Sequence, residues 1–183
     1  MILITNICFT GHRPEKLGGY DWNSKKNMLI MKHLSEKIED MIINRNAKTF
    51  IFGGALGIDQ MAFTAVKKLQ KDDYQYIKMI LAVPFENQAS KWFNNNDIDR
   101  YNFQKKWADE VVYVDTVEGY RFDIVPVGDY HPAKMQLRNR YMVDNSNIAI
   151  AVWNGSKGGT ANCVNYANKL GKEIIIINPD SIQ

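Results

Sequence analysis

The chain has 183 residues, of which 45% are hydrophobic and 23% charged, with 23 basic and 20 acidic side chains and a formal net charge of +3. That length fits one domain over residues 1–183, large enough to bury a core without disulfides or structural metals. The slight basic excess is too mild to argue for nucleic acid, which stands as a disfavoured partner that composition does not exclude, and Cys8 and Cys163, the two cysteines, are too few for a disulfide framework and read as reduced core thiols.

The N-terminus lacks the basic stretch of a signal peptide. No apolar run reaches the length of a membrane span. The expectation is a cytoplasmic protein with no membrane partner.

In chain order, Ile2–Phe9 is apolar and rich in strand formers, and reads as a buried strand. It ends at the polar turn Thr10-Gly11-His12-Arg13-Pro14. From about Trp22 to Arg45, Met28, Met31, Leu34, Ile38, Met41 and Ile42 recur at helical steps. Lys48–Phe52 is a second strand, followed by Gly53-Gly54-Ala55-Leu56-Gly57 and a helix from Ile58 to Lys71. Ile77–Val83 is a third strand. A loop then leads into a helix around Asp99–Trp107. Glu110–Val114 is a fourth strand. Thr116–Pro132 reads as a long loop, with room for a hairpin; loops of that length are usually functional or mobile. Ala133–Val143 is helical, Asn147–Val152 a fifth strand, Thr160–Leu170 a helix capped by Gly171, and Glu173–Ile177 a sixth strand.

Strands and helices alternate, and several strands are unbroken apolar runs, as parallel strands covered on both faces are. The fold class is therefore α/β, a Rossmann-like, doubly wound, mainly parallel sheet flanked by helices. In such sheets ligands bind beyond the carboxyl ends of the strands, where the strand order reverses.

Three turns at strand ends carry suitable chemistry. In the first, Gly11 lets the backbone approach a ligand, Arg13 suits a phosphate or carboxylate, and His12 suits hydrogen bonding or proton transfer. The alternative is a turn with two solvated polar residues. The second, Gly53-Gly54-Ala55-Leu56-Gly57-Ile58-Asp59, offers backbone N–H groups at a helix N-terminus, where the dipole favours an anion. Asp59 either caps that helix or meets the ligand. The third is Asn154-Gly155-Ser156-Lys157-Gly158-Gly159-Thr160, with a hydroxyl on Thr160 and a charge on Lys157. It lacks the Gly-Lys-Ser/Thr order of a P-loop. Trp153 either stacks on a base or packs on its own helix. Arg138 and Arg140, two apart on one helix, point to different faces, so one of them at most meets the cleft.

His12, His33 and His131 are scattered, and no residues show metal-ligand spacing. No nucleophile elbow or carboxylate pair stands out. The sequence thus designates no catalytic residue, no metal and no required cofactor.

The motifs resemble those of the YpsA-like proteins of the SLOG superfamily, which also holds the LOG-type nucleoside-monophosphate hydrolases and the DprA-type DNA-processing proteins. Phe9-Thr10-Gly11-His12-Arg13-Pro14 and Gly53-Gly54-Ala55-Leu56-Gly57-Ile58-Asp59 are similar to the first two motifs. Pro84-Phe85-Glu86-Asn87-Gln88 with Lys91-Trp92 is similar to the third. Arg138-Asn139-Arg140-Tyr141-Met142-Val143-Asp144, Ala151-Val152-Trp153-Asn154-Gly155 and Lys157-Gly158-Gly159-Thr160 are similar to the last block. These motifs span nearly the whole chain, and small proteins of this branch occur in Firmicutes and their phages.

The resemblance implies a nucleotide-type ligand, NAD- or ADP-ribose-like or a cyclic nucleotide, that is sensed or sequestered in conflict between bacteria and phages as an anti-defence device. It adds Pro84, Phe85 and Asn139 to the candidate ligand residues, and it implies a homo-oligomer. In LOG hydrolases an arginine and a glutamate three residues after Gly-Thr act on the N-glycosidic bond. Arg138 matches the arginine, but Cys163 stands at the glutamate position. A thiol supplies no carboxylate for an oxocarbenium-like transition state, so the expectation leans away from an enzyme. LOG-type hydrolysis, control of host cell division and single-stranded DNA binding are the alternatives.

Overall fold

A computed structural model of the chain describes residues 5–182. Six strands form one sheet: β1 (Thr5–Gly11), β2 (Ala47–Phe52), β3 (Lys78–Val83), β4 (Glu110–Tyr113), β5 (Ile148–Val152) and β6 (Glu173–Ile177). The helices are α1 (Lys25–Arg45), α2 (Ile58–Asp72), α3 (Asn95–Trp107), α4 (Pro132–Asp144) and α5 (Gly159–Lys169). The strand order is β4-β3-β2-β1-β5-β6, and every neighbouring pair is parallel. This is the doubly wound α/β fold that the alternation predicts.

The order reverses between β1 and β5, where Ile7 pairs with Ile148, Phe9 with Ile150 and Gly11 with Val152. Successive side chains of a strand face opposite ways, so β1 sends Ile7 and Phe9 into one core and Cys8 into another. The first core takes the apolar stripes of α1, α2 and α3, among them Ile30, Leu34, Met61, Phe63 and Tyr101. Phe9 stacks on Phe52 at 5.1 Å, and Phe52 meets Phe63 edge-on at 5.0 Å. Burying each such ring is worth roughly 1.5–3 kcal/mol. The second core is built of small groups, Cys8, Ala82, Ala149, Cys163 and Ala167 with Met142 and Val143. They let α4 and α5 lie close on the sheet.

Element boundaries differ from the sequence expectation at a few ends. Ile2–Ile4 lie outside the described residues, and β1 continues to Gly11 because its ladder with β5 runs that far. The first helix starts at Lys25 rather than near Trp22, because the Ser24 side chain accepts the N–H of Asn27 as its cap. The helix expected at Asp99 starts four residues earlier, where Asn94 caps it through the N–H of Asn96. No hairpin forms between Val117 and His131, which remain turns and irregular chain. Both thiols are free and buried, as expected. No helix among the described residues is long and apolar enough to cross a membrane.

Candidate functional site

The reversal point opens into a cavity of about 410 Å³ at the carboxyl ends of β1 and β5. Its walls are the end of β1 and the turn after it, the turn after β5 with the start of α5, the middle of α4, Ala55 of the turn after β2 and Asp59 of α2. Of the candidate residues, Thr10, Gly11, His12, Arg13, Ala55, Asp59, Arg138, Asn139, Gly158, Gly159 and Thr160 line it. Glu15, Lys16, Met135, Gln136 and Ser156 join them without having stood out in the sequence. The available signals were position only: Lys16 lies one turn beyond Arg13, and Gln136 lies two residues before Arg138.

The turns after β1 and β2 lock onto each other. The carbonyl of His12 accepts the N–H of Ile58, while the N–H of His12 donates to Val152. A Cβ on Gly11 would lie 2.5 Å from Cβ of Ile58. Gly57 has φ +87°, and a Cβ there would lie 2.5 Å from the His12 carbonyl. These two glycines serve the approach of one loop to the other.

The Gly53-Gly54 turn faces inward. The Gly53 carbonyl accepts from Nη1 of Arg138 and from Nε2 of Gln88 at 3.2 Å. Both glycines are buried, and neither they nor Gly57 reach the cavity wall. Ala55 of that turn and Asp59, in the first turn of α2, do. The Asp59 carboxylate accepts the N–H of Ala55 at 3.2 Å and lies 3.7 Å from Nη1 of Arg138. Burial raises the Asp59 pKa above its ordinary value, although Arg138 pulls the other way. Burial likewise lowers that of Arg138, opposed by Asp59. At 3.7 Å the pair offsets only part of its desolvation. Asp59 thus braces both the turn and the arginine.

The turn after β5 is open. The Asn154 side-chain oxygen lies 2.7 Å from Nε2 of His12 and accepts the N–H of Ser156. Its amide nitrogen donates to Asp180 at 2.8 Å. The Trp153 indole N–H donates to the Ser156 carbonyl at 2.8 Å, which turns the ring onto its own loop. Neither Asn154 nor Trp153 lines the cavity. Pro84 and Phe85 lie away from it too: Phe85 packs edge-on against Tyr130 at 5.7 Å, with Nζ of Lys134 5.9 Å from its ring. Arg138 and Arg140 diverge as their spacing predicts. Arg138 is buried against Gly53, and Arg140 is exposed over Tyr166.

Helix α5 begins at the cavity wall. Its N-cap is Gly158, no side chain caps its first N–H groups, and its first turn carries no acid. Free N–H groups and the helix dipole together make a site for an anion. The exposed guanidinium of Arg13 and ammonium of Lys157 border it, and neither forms an ion pair among the described residues. Nζ of Lys16 reaches Oγ of Ser156 at 2.9 Å, tying the turns after β1 and β5 across the mouth. No cluster of three metal-binding side chains forms among the described residues. Cys163 packs beneath Thr10, and burial pushes its thiol pKa up to about 11. A thiol in that state is neither an acid–base carboxylate nor a ready nucleophile.

Together these features define a doubly wound α/β protein with a cationic, helix-capped cleft at the reversal of its sheet. Residues 7–182 match the model of the YpsA family, described as the YspA SLOG family, and the chain belongs to that family. It is 41% identical over 161 residues to the uncharacterized SPbeta prophage-derived protein YoqJ of Bacillus subtilis, covering 85% of this chain and 92% of the relative. It is 30% identical over 172 residues to the UPF0398 protein lwe1908 of Listeria welshimeri, covering 92% and 85%. Among solved structures it is similar to DNA processing protein A of Helicobacter pylori, whose description concerns its single-stranded DNA binding mode (TM-score 0.56, 17% identity). It is also similar to DprA of Streptococcus pneumoniae (TM-score 0.60, 13% identity). The chain spans 65% and 50% of those two proteins, and the likeness is one of fold.

Proposed function

We propose that the chain binds a nucleotide-derived small molecule in the cleft between β1 and β5, with a phosphate at the start of α5. The observation that carries this reading is the uncapped α5 N-terminus facing the same cavity as the unpaired Arg13. NAD-like, ADP-ribose-like and cyclic nucleotides all carry such a phosphate. The role is to hold the ligand, as a sensor or a sequestering protein. Supporting that role, Cys163 stands where LOG-type hydrolysis needs a carboxylate, and its thiol is held protonated. The likeness to a prophage-derived protein supports a setting in conflict between phages and bacteria.

Calorimetry with ADP-ribose, cyclic ADP-ribose and NAD tests the reading. Micromolar binding of one of them is expected, weakened at least tenfold by Arg13→Ala. No binding of any of the three to folded protein overturns it. Chromatography of the ligand after long incubation separates holding from cleavage: intact ligand is expected, and a released base restores the hydrolase alternative.

The likeness to DNA processing protein A favours a second reading, in which the same cations meet a single-stranded DNA backbone. That binding would fall steeply with salt, through counterion release. A mobility shift with an oligonucleotide at two ionic strengths decides between the readings.

A further inference from the structure

Beside the cleft, a groove of about 440 Å³ runs between the outer faces of α4 and α5. It shares Gln136 and Asn139 with the cleft, so the two spaces adjoin over one turn of α4. No carboxylate lines the groove. Two cations do, Arg140 and Lys169, and both are exposed and free of ion pairs among the described residues. Tyr166 supplies an aromatic wall. Its hydroxyl donates to Asp144 at 2.9 Å, which fixes the ring, and the Arg140 guanidinium lies 5.5 Å from the ring centroid. At the junction the Asn139 oxygen accepts Nε of Arg138 at 3.0 Å. That bond orients the amide, so its NH₂ group remains as the donor.

We infer that this groove is a second half-site, and that the ligand consists of two nucleotide units joined through phosphate. The inference rests on the reading of the cleft as a nucleotide site. Small-molecule pockets run from roughly 300 to 1,000 Å³, and each space lies at the low end of that range, the size for one unit. The first unit takes its phosphate to α5. The second lies along Tyr166, where an aromatic face accepts any base, and Lys169 and Arg140 meet its charge. The amide of Asn139 donates to the bridge between the units. The polar lining favours this occupant over a second copy of the chain, because the core of a subunit interface is apolar.

Two linkages share this chemistry, the 5′–5′ pyrophosphate and the 3′–5′ phosphodiester. The test measures affinity for AMP, for NAD and for the 5′-phosphorylated diadenylate pApA. It uses the wild-type chain and two variants at exposed groove positions, Lys169→Glu and Asn162→Trp. Neither residue lines the cleft, so AMP serves as the internal reference. At least one two-unit ligand is expected to bind tenfold or more tightly than AMP, and which one does so assigns the linkage. Both variants are expected to remove that increment and leave AMP unchanged. AMP binding equal to that of both two-unit ligands overturns the half-site and leaves the cleft reading standing. An increment that survives both variants overturns it too, as does a change of oligomeric state in the variants with ligand affinities unaltered. If none of the three ligands binds, the cleft reading falls along with it.

Discussion

Nε2 of His12 lies 2.7 Å from the side-chain oxygen of Asn154, joining the chain just beyond β1 to the chain just beyond β5. The two residues are 142 positions apart, and their contact holds the mouth of the cleft at one width. The amide of Asn154 is oriented independently by Ser156 and Asp180, and the backbone N–H of Asn154 lies 3.2 Å from the same imidazole nitrogen. A partly buried hydrogen bond of this kind contributes about 0.5–1.5 kcal/mol. Replacing His12 by Ala and Asn154 by Ala, singly and together, is expected to give a coupling energy of about 1 kcal/mol in urea melts. A coupling of zero would show that each residue acts alone.

Gly53 and Gly159 should respond in opposite ways to alanine. A methyl group on Gly53 lands against the Arg138 guanidinium and within 2.6 Å of the Asp59 carboxylate, both buried. The cost of such overpacking is about 1–3 kcal/mol. A methyl group on Gly159, within α5, meets nothing within 4 Å, so Gly159→Ala is expected to raise the midpoint of denaturation slightly, by the roughly 0.4–1 kcal/mol of a Gly-to-Ala change that the backbone tolerates. Equal midpoints for the two variants would remove Gly53 from its role as the seat of Arg138.

The comparison of these glycines shows what the sequence discloses. Apolar runs such as those of β2 and β5, and the glycine turns after them, announce a parallel sheet and its ligand edge, because burial and backbone freedom are local demands. The direction in which a turn faces is not local. Gly53-Gly54 and Gly158-Gly159 look alike in sequence, yet the first is filled by an arginine 85 positions away and the second is left open. Trp153 stands beside the open turn, but its indole bonds the carbonyl three residues on. Gln136 and Lys16 carry no sequence signal beyond their nearness to Arg138 and Arg13, since only the crossing of α4 over the end of β1 and the tie to Ser156 bring them to the wall.

Asp59 predicts a pH dependence. Its folded-state pKa is raised above the ordinary value of 3.8, first by burial. The folded state therefore holds this proton more tightly than the unfolded state, and the contribution to stability is complete below the unfolded pKa. It declines as pH rises from there through the raised folded value. Asp59→Asn lacks this titration. The advantage of wild type over the variant, read from urea melts, is expected to shrink as pH rises above about 4. An advantage that grows over that range would mean that Arg138 outweighs burial.

Asp115 and Lys134 anchor the long loop between β4 and α4. Nζ of Lys134 donates to Asp115 at 2.9 Å and to the Pro126 carbonyl at 2.7 Å, and the same Asp115 oxygen accepts the N–H of Gly128. Both side chains are almost wholly buried. Removing one partner strands a buried charge, at a cost of about 3–5 kcal/mol, whereas removing both charges is far milder. Lys134→Met should therefore destabilise the chain strongly and free the loop. Arg121, exposed within that loop, should become the first site of tryptic cleavage under native conditions. The double variant Lys134→Met/Asp115→Asn should regain much of the stability while its loop stays more open to trypsin than in wild type, because the bond to Pro126 is gone. If the double variant is no more stable than the single one, the pair is not the source of the cost, and the bond to Pro126 alone holds the loop.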